Sequence, residues 1–595
     1  MTTELSLFPT PRSLIFHQKN SKNNTIHFNA RALQCEIPLL CYQRIKKAQI
    51  RYIHEPVWAT QRYKIVVEEQ QILIHFSDEH AVMYAHQLIH QLVEHYNHSI
   101  PCLTVDDQPS FEKRGVLLDI SRDKIPTMET LFELIDFWSQ LRLNQFQLYT
   151  EHTFAYRNHE KVWTGYTPMT ASEIKRIDDY CHQRGIELIA NQATFGHMEK
   201  WLCHSEYHHL AEQTSGFYDQ RGDFRPLAFG LNPIHPEVPA FIDGLFDELL
   251  PNFRSNTLNI NFDETMDLGV QGSKEACDKD GKGKVYLDYL HKILAMAKRH
   301  GVNCQIFSDM LFRYPDLIAH LPPDIELLNW GYEEDHPYDE EHQQLAKLGY
   351  PFQVVVSTNT FASVAGRWQA AQVHMRRAAV SGYKYGASGY MISEWGDMGH
   401  AQQFSMPLPA YVFGAAMAWG ETQHKNLDVT PVIARLFGES YRTLLPTLLD
   451  VQNLYLTSGV ETPNCAFYGP FVFDQSSRRH IRRAIIGDKK QLEASISTLN
   501  ITMLSVINEK NSLLKQELIW TLNTMIFATH LAKAYQLHQC REAEKFPPET
   551  KQHLLALLEP IEKDYIELWT KKYRIGGASQ SLQRIKLISE LLQIS

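Results

Sequence analysis

The sequence predicts a (β/α)8 barrel that carries an N-terminal α+β domain and a C-terminal helical domain. Two observations favour this fold class. Between residues 114 and 420, apolar segments of strand length alternate with helical segments eight times, which is the count and size of such a barrel. Polar residues also crowd the carboxyl ends of nearly all eight predicted strands. A doubly wound open sheet, the main alternative, would concentrate them at one switch point.

Three regions follow from these patterns, and we expect domains at residues 1–110, 111–422 and 423–595. In the first region, Tyr63–Val67 and Ile72–Phe76 predict a β-hairpin, and residues 82–96 predict an amphipathic helix. Residues 101–109 begin and end with proline and are interpreted as a linker.

Within the second region, each predicted strand is followed by a helical segment. The predicted strands are residues 115–120, 144–149, 186–191, 258–262, 303–307, 325–329, 352–356 and 389–393. Predicted helices include residues 128–141, 171–184, 285–300 and 365–382. In the third region, residues 489–514, 518–538 and 550–573 show apolar positions at helical spacing and predict a bundle packed on the barrel.

Composition excludes several function classes. A net charge of −10 over 595 residues, with no basic stripe, argues against a nucleic-acid partner. Nine scattered cysteines without CxxC spacing favour free thiols in a reducing compartment. The N-terminus lacks a basic and then apolar leader. The apolar residues 409–419 are too few to span a bilayer and instead predict a buried helix. We therefore expect a cytoplasmic protein with no membrane partner.

Asp263 and Glu264 are the most informative pair, because they stand together at the end of the fourth predicted strand. Active sites of these barrels form from the loops at the carboxyl end. Two carboxyl groups in different environments can hold different protonation states, as acid/base chemistry at a glycosidic bond requires. The other strand ends supply further polar and aromatic residues: Arg122, Glu151, His197, Asp309, Trp330, Tyr332, Asn359, Trp395 and Asp397. Such a mixture suits a sugar.

Four segments at these strand ends resemble one family. Arg114-Gly-Val-Leu-Leu-Asp-Ile-Ser-Arg122 is similar to the first-strand signature of glycoside hydrolase family 20, the β-N-acetylhexosaminidases. Phe195-Gly-His197, Phe262-Asp-Glu264 and Glu394-Trp-Gly-Asp397 resemble its third-, fourth- and eighth-strand motifs. The resemblance covers roughly residues 110–420. Residues 149–154 and the helical C-terminus are similar to a bacterial, non-secreted subgroup.

The resemblance implies a retaining exo-β-N-acetylhexosaminidase with substrate-assisted chemistry. In that mechanism the substrate's own acetamido oxygen attacks the anomeric carbon and forms an oxazolinium ion. By resemblance, Glu264 is the acid and base, Asp263 orients the acetamido group, and His197 tunes both acids. The remaining implied sugar contacts are Arg122, Glu151, Trp330, Asn359, Trp395 and Asp397.

Two departures from the family pattern keep alternatives open. Residues 357–362, after the seventh strand, lack the Tyr or Trp that often contacts the acetamido group, and Phe307 replaces a common Trp after the fifth strand. One alternative is a glycosidase with a protein nucleophile, for which Glu394 is the candidate. The other is a weakly active carbohydrate-binding protein on the same fold.

We expect no cofactor and no metal. The His86-Gln-Leu-Ile-His90 segment mimics a zinc motif, but Gln87 cannot act as its general base. The expected partners are small glycans or glycoconjugates with a terminal β-linked N-acetylhexosamine (HexNAc), and we allow for a homodimer.

Overall fold

A computed structural model describes residues 7–17, 25–27, 50–97, 99–219, 222, 224–315, 320–457, 467, 489–540 and 542–594. Its N-terminal part contains a five-stranded sheet in the order β1-β7-β4-β5-β3 and a two-stranded pair, β2 and β6. The bounds are Ser13–Phe16 (β1), Thr25–His27 (β2), Ile50–His54 (β3), Tyr63–Val67 (β4), Ile72–Phe76 (β5), Ser99–Pro101 (β6) and Leu103–Asp107 (β7). The helix Glu79–His95 (α1) packs its apolar face on this sheet.

The predicted hairpin is confirmed, since β4 and β5 pair antiparallel from Tyr63 opposite Phe76 to Val67 opposite Ile72. The predicted linker is wrong. Most of it is β7, which lies between β1 and β4. Leu103 and Val105 alternate with half-buried residues and point into the sheet core, a period-two pattern that the flanking prolines obscured.

Eight parallel strands close into the predicted barrel. A small hairpin, Phe217–Tyr218 (β11) with Phe224–Arg225 (β12), lies outside it. The barrel strands are Lys113–Asp119 (β8), Gln145–Tyr149 (β9), Glu187–Asn191 (β10), Thr257–Asn259 (β13), Asn303–Phe307 (β14), Glu326–Trp330 (β15), Phe352–Ser357 (β16) and Gly389–Glu394 (β17). Each overlaps its predicted segment. Their side chains are buried almost throughout, as expected for strands covered on both faces.

The barrel interior contains a hydrogen-bonded polar layer. Gln147 donates to Gln305 (2.8 Å) and accepts from Asn191 (3.0 Å) and Asn259 (2.9 Å). Gln305 in turn donates to Glu326 (2.7 Å). A separate apolar cluster of inward-facing residues includes Leu117, Leu328, Val355 and Met391 together with Trp395. Because buried polar groups need partners, this network fixes the register of strands whose carboxyl ends carry the site.

Helices surround the barrel and follow its strands. Local signals start several of them: the Thr127 side chain accepts the Thr130 amide, and Thr170 with Glu173 forms a capping box. The helices are Met128–Gln140 (α2), Glu160–Trp163 (α3), Ala171–His182 (α4), Glu199–Leu202 (α5), Val238–Leu249 (α6), Lys274–Asp280 (α7), Lys282–Arg299 (α8), Asp309–Arg313 (α9), Tyr338–Leu348 (α10), Trp368–Lys384 (α11), Leu408–Gly420 (α12), Thr430–Phe437 (α13), Glu439–Gln452 (α14), Lys489–Ile507 (α15), Leu513–Leu537 (α16), Pro548–Thr570 (α17) and Ala578–Gln593 (α18).

The apolar stretch 409–419 forms most of α12, and every residue of that helix is buried. The prediction of a buried helix is confirmed. In the part of the chain that the structure describes, none of the helices has the length and apolar character needed to cross a membrane.

The C-terminal helices dock on the rim of the barrel. Arg574 forms an ion pair with Glu173 at 2.9 Å. The Ser581 Oγ lies 3.0 Å from the Asp123 carboxyl group and 2.8 Å from the Gly399 carbonyl oxygen, and either can accept its one proton. Gly577 has a φ of 77°, and a Cβ atom there would lie 2.0 Å from the Asp123 carbonyl oxygen. Only glycine permits this approach of α18 to the loop after β8.

We therefore expect Gly577→Ala to lower the free energy of unfolding by about 2 kcal/mol, because the new methyl group collides with backbone. Thermal denaturation measures the effect. Gly244→Ala is the matched control, since a Cβ at Gly244 in α6 meets nothing within 4 Å and alanine favours a helix. Equal melting temperatures for Gly577→Ala and the wild type would contradict the tight junction.

Candidate active site

The carboxyl ends of the barrel strands open into a cavity of about 870 Å³. A cavity of this volume can hold a small-molecule ligand of the size of a sugar. Eight of the nine predicted site residues line it: Arg122, Glu151, His197, Asp263, Glu264, Trp330, Trp395 and Asp397. The fold therefore brings together side chains that come from six different strand ends.

The chain turns sharply where Asp263 and Glu264 enter the cavity. Asn261, Phe262 and Glu264 have φ values of 62°, 67° and 46°, in the left-handed region that residues other than glycine rarely adopt. The strand consequently ends at Asn259, earlier than predicted. Neighbours in a strand point to opposite faces, and the turn is what allows both carboxyl groups to face one cavity.

His197 joins the two acids. Its Nε2 lies 3.4 Å from Asp263 Oδ2 and 3.5 Å from Glu264 Oε2. Burial by itself lowers the pKa of His197, but Asp263, with help from Glu264, raises it well above its usual range. Arg122 Nη2 lies 3.3 Å from Nδ1, where it acts as a donor to the neutral ring. Nε2 therefore carries a proton in both the neutral and the protonated ring, and it faces both carboxylates.

Arg122 lies at the centre of the charged floor. Its guanidinium pairs with Asp119 at 3.2 Å and with Glu151 at 3.1 Å, and it lies over the rings of Tyr149 (4.7 Å) and Trp395 (5.6 Å). Burial raises the pKa of Glu151 to about 7 against the opposing charge of Arg122. One guanidinium therefore compensates two carboxyl groups in a site that water barely reaches.

The remaining cavity acids differ in environment. Burial raises the pKa of Asp397, while Arg122 opposes the rise. For Glu264, burial raises the pKa, but the hydrogen bond and charge of His197 outweigh burial and lower it overall. Glu264 is therefore ionised at neutral pH, and any role as an acid requires that it first gain a proton.

Aromatic rings form one wall of the cavity. Trp330 stacks on Tyr332 with ring centres 5.2 Å apart, and Trp395 Nε1 donates to the Tyr332 hydroxyl at 2.9 Å. Tyr149 meets Trp395 edge-on at 4.9 Å, and Phe307 lies 6.3 Å from it. Rings in this arrangement offer flat apolar faces and one hydroxyl, which suits the C–H face of a sugar and a small polar substituent.

Asn359 is the predicted site residue that does not line the cavity. Its side chain is buried and donates to the Tyr332 carbonyl at 3.0 Å, so it supports the loop after β15. Glu394 is also directed elsewhere: it accepts from Tyr411 at 2.7 Å and faces His400, between the barrel and its outer helices. A direct sugar contact through Asn359 and a nucleophilic role for Glu394 both lack geometric support.

Several cavity residues escaped the sequence interpretation. Phe361 lies 5.8 Å from Tyr332 and contributes an aromatic ring from the loop after β16, within the segment that lacks the Tyr or Trp of the family pattern. Gln580 and Arg584 reach the cavity from α18. Nothing in a helix more than 180 residues after the last barrel strand signals such a contribution. The remaining additions include Lys161, Tyr166, Lys200, Arg225, Phe229 and Met266.

A closed barrel whose carboxyl-end cavity holds adjacent acids, a buried arginine and aromatic walls has the architecture of a glycoside hydrolase. Residues 111–433 match the model of the glycosyl hydrolase family 20 catalytic domain. This match spans more than half of the chain, and the protein therefore belongs to glycosyl hydrolase family 20 and is a glycoside hydrolase.

Similar proteins agree with this assignment. Human hexosaminidase D is 25% identical over 380 residues, which cover 60% of this chain and 73% of the human protein. Two solved structures share the fold at low identity. The chitobiase of Flavobacterium johnsoniae is 15% identical with a TM-score of 0.57 over 98% of this chain and 99% of its own. A Vibrio harveyi exo-β-N-acetylglucosaminidase is 17% identical with a TM-score of 0.55 over 75% and 78% of the two chains.

The charge balance at Arg122 makes a prediction about stability. Arg122→Met leaves Asp119 and Glu151 without a cation, and we expect it to lower the free energy of unfolding by about 3 kcal/mol at pH 8. The deficit should shrink towards pH 5. The raised pKa of Glu151 means that folding favours the protonated carboxyl group. The destabilisation caused by an uncompensated, ionised Glu151 is therefore absent at low pH and grows as pH rises through about 7.

Melting temperatures of wild type and variant across pH 5–8 test this. Arg442→Met is the control, because Arg442 pairs with Glu439 at 3.1 Å with both side chains largely exposed and should cost less than about 1 kcal/mol at any pH. A deficit for Arg122→Met that does not depend on pH would show that lost packing, rather than charge, dominates.

Proposed function

We propose that this family 20 enzyme is a retaining exo-β-N-acetylhexosaminidase that releases terminal GlcNAc or GalNAc with the help of the substrate's own acetamido group. One observation carries the proposal. Asp263 and Glu264 lie beside each other, within 3.5 Å of the same histidine nitrogen, at the mouth of an aromatic pocket. A substrate that brings its own nucleophile needs one acid to move protons and a second to orient the nucleophile.

In the first step the acetamido carbonyl oxygen bonds to the anomeric carbon while the bond from that carbon to the leaving oxygen breaks. The carboxyl proton of Glu264 passes to the leaving oxygen. Asp263 accepts the acetamido N–H and stabilises the positive charge that spreads over the oxazolinium ring. In the second step Glu264 takes a proton from water, water attacks the anomeric carbon, and the ring opens with net retention.

Tyr332 supports an acetamido pocket despite the unusual seventh strand. Its hydroxyl accepts from Trp395 at 2.9 Å and is therefore free to donate its own proton to a substrate carbonyl. Trp330, Trp395 and Phe307 provide apolar faces around it. We assign the acetamido methyl to these rings and the acetamido oxygen to Tyr332, so a tyrosine from the sixth strand end replaces the contact expected after the seventh.

The charged floor of the cavity, beside the aromatic wall, suits the ring hydroxyls. Arg122 and Glu151 come from the first and second strand ends and Asp397 from the eighth, and all three line the same cavity. A guanidinium and two carboxyl groups can each bind vicinal hydroxyls. We assign the hydroxyls furthest from the anomeric carbon, O4 or O6, to Asp397.

The names of similar proteins support the substrate class. Human hexosaminidase D carries the activity in its name, and the Vibrio harveyi protein was solved in complex with N-acetylglucosamine. We further propose small glycans or glycoconjugates as substrates and the cytoplasm as the compartment. The cysteines at 102, 181, 203, 277, 304 and 540 are all free thiols, as expected in a reducing environment. We also propose domains at residues 1–110, 111–422 and 423–595 and a homodimeric assembly.

Substitution of the two acids tests the mechanism. We expect Glu264→Gln to lower kcat/KM on aryl β-GlcNAc or β-GalNAc by about 10³-fold, because proton transfer to the leaving group is lost. Asp263→Asn should cost about 10²-fold, because the oriented nucleophile loses its partner. Steady-state hydrolysis of aryl glycosides that differ at C2 and C4 measures both effects and also identifies the preferred sugar.

The same substrate panel contains its control. Aryl β-glucosides, which lack the acetamido group, should not be hydrolysed, and a thiazoline mimic of the intermediate should inhibit. Full activity of either variant would overturn the proposal. Turnover of the glucoside without thiazoline inhibition would favour a protein nucleophile. Tight GlcNAc binding with no turnover of any aryl glycoside would favour a carbohydrate-binding protein.

The lowered pKa of Glu264 in the free enzyme predicts a difference between two pH profiles. His197 lowers the pKa of Glu264 in the free enzyme, whereas a bound sugar displaces water from the carboxyl group and raises it. The profile of kcat/KM reports the free enzyme and that of kcat reports the complex. We expect the alkaline limb of kcat to lie at higher pH than that of kcat/KM. Coincident limbs would contradict this coupling.

A further inference from the structure

The left-handed turn from Asn261 to Glu264 needs a restraint. Three of its four residues have positive φ values, although none of them is a glycine, and such backbone is retained only where the surroundings enforce it. Two neighbouring contacts are already visible. The Asn261 carbonyl accepts the Phe307 amide at 2.9 Å, and the Phe262 carbonyl accepts the Tyr286 hydroxyl at 3.0 Å. Both contacts restrain residues of the turn that precede Asp263 and Glu264.

Asp309 supplies a contact at the acids themselves. It is the first residue of α9, directly after the fifth barrel strand, and its Oδ2 accepts the Glu264 amide at 3.1 Å. Asp309 does not line the cavity that is assigned to the sugar. It therefore acts on the reaction through the backbone of Glu264 and not through the substrate.

We propose that Asp309 is a positioning residue of the reaction: its carboxyl group holds the Glu264 amide, and so keeps Asp263 and Glu264 pointed into the cavity. The inference rests on the proposed function. Glu264, which has left-handed backbone, makes this hydrogen bond with its own amide. Loss of the bond therefore lets the backbone of Glu264 rotate and displaces its carboxyl group, the proton donor. Misplacement of a catalytic group by about 1 Å can cost about 10²-fold in rate.

The charges around Asp309 give the contact a second effect. Oδ1 of Asp309 and Oδ1 of Asp263 are both sealed from solvent, and neither has a hydrogen-bond partner among the described residues. The groups that face Asp309 are Asp263, Glu264, Tyr286 and Arg313. Three carboxyl groups thus share this corner with Arg313 and with His197, which contacts Asp263 and Glu264 but not Asp309, and a proton on Asp309 relieves the remaining repulsion.

Burial and the charge of Asp263 raise the pKa of Asp309 to about 7, so the group titrates near neutral pH. Once Asp309 ionises, its negative charge disfavours the ionised form of Glu264 and raises the pKa of that acid. In the complex, where the bound sugar raises the pKa of Glu264, Asp309 therefore helps Glu264 to keep its proton on the alkaline side. The two groups titrate as a coupled pair.

Two substitutions separate the hydrogen bond from the charge. Asp309→Ala removes the acceptor, and we expect kcat on aryl β-GlcNAc to fall about 30-fold with KM within about threefold of wild type. Asp309→Asn keeps an acceptor oxygen and should restore most of that rate at low pH. Because asparagine does not ionise, it should move the alkaline limb of kcat, which reports the complex, to lower pH by about half a unit.

Asp267→Ala is the matched control. Asp267 belongs to the loop after the fourth barrel strand that carries Asp263 and Glu264. It is buried and accepts a backbone amide, that of Gly230 at 2.9 Å, but it contacts neither catalytic acid. We expect it to lower the melting temperature without moving the pH profile. An Asp309→Ala enzyme within threefold of the wild-type kcat would overturn the inference, as would an Asp309→Asn enzyme with an unshifted profile. Absence of HexNAc turnover in the wild type would instead refute the proposed function itself.

Discussion

The pairing of four carboxyl groups with two adjacent basic side chains is the interaction on which the rest of the site depends. Arg122 balances Asp119 and Glu151, the protonated ring of His197 balances Asp263 and Glu264, and Arg122 Nη2 lies 3.3 Å from His197 Nδ1. Four carboxyl groups could not otherwise share one poorly hydrated floor, because each uncompensated buried charge costs several kcal/mol. The chain of contacts links the first, second, third and fourth strand ends, so the electrostatics require a closed barrel in a fixed register.

The surrounding structure can be understood as support for that register. The hydrogen-bonded layer around Gln147 ties four strands together below the floor. On the outside, Ser581 bridges Asp123 after the first barrel strand to Gly399 after the eighth, and Gly577 allows the close approach. The helical C-terminus is therefore structurally part of the active-site rim: it fixes two loops beside Arg122 and Asp397 and adds Arg584 to the cavity wall.

Much of this arrangement was predictable from the sequence because it depends on periodicity and on strand ends. Eight apolar segments gave the barrel, and residues that directly follow those segments, such as Arg122, His197 and Glu264, had to lie on one rim. The failures have physical causes. Proline at both ends hid the alternation of Leu103 and Val105. Asn359 follows its strand as expected, but a tight loop turns its side chain away from the cavity.

Other features could not be deduced because they depend on backbone conformation or on distant packing. No propensity predicts left-handed backbone at Phe262, yet that conformation decides that neighbouring acids face one pocket. The aromatic wall makes a similar point: Tyr332 comes from the sixth strand end and Phe361 from the loop after the seventh, and they meet only in three dimensions. A missing residue in a one-dimensional motif is therefore weak evidence of lost function, because a barrel rim allows a neighbouring strand to supply the same chemical group. What matters is whether a hydroxyl and apolar rings converge beside Asp263, and here Tyr332 and Trp395 do so.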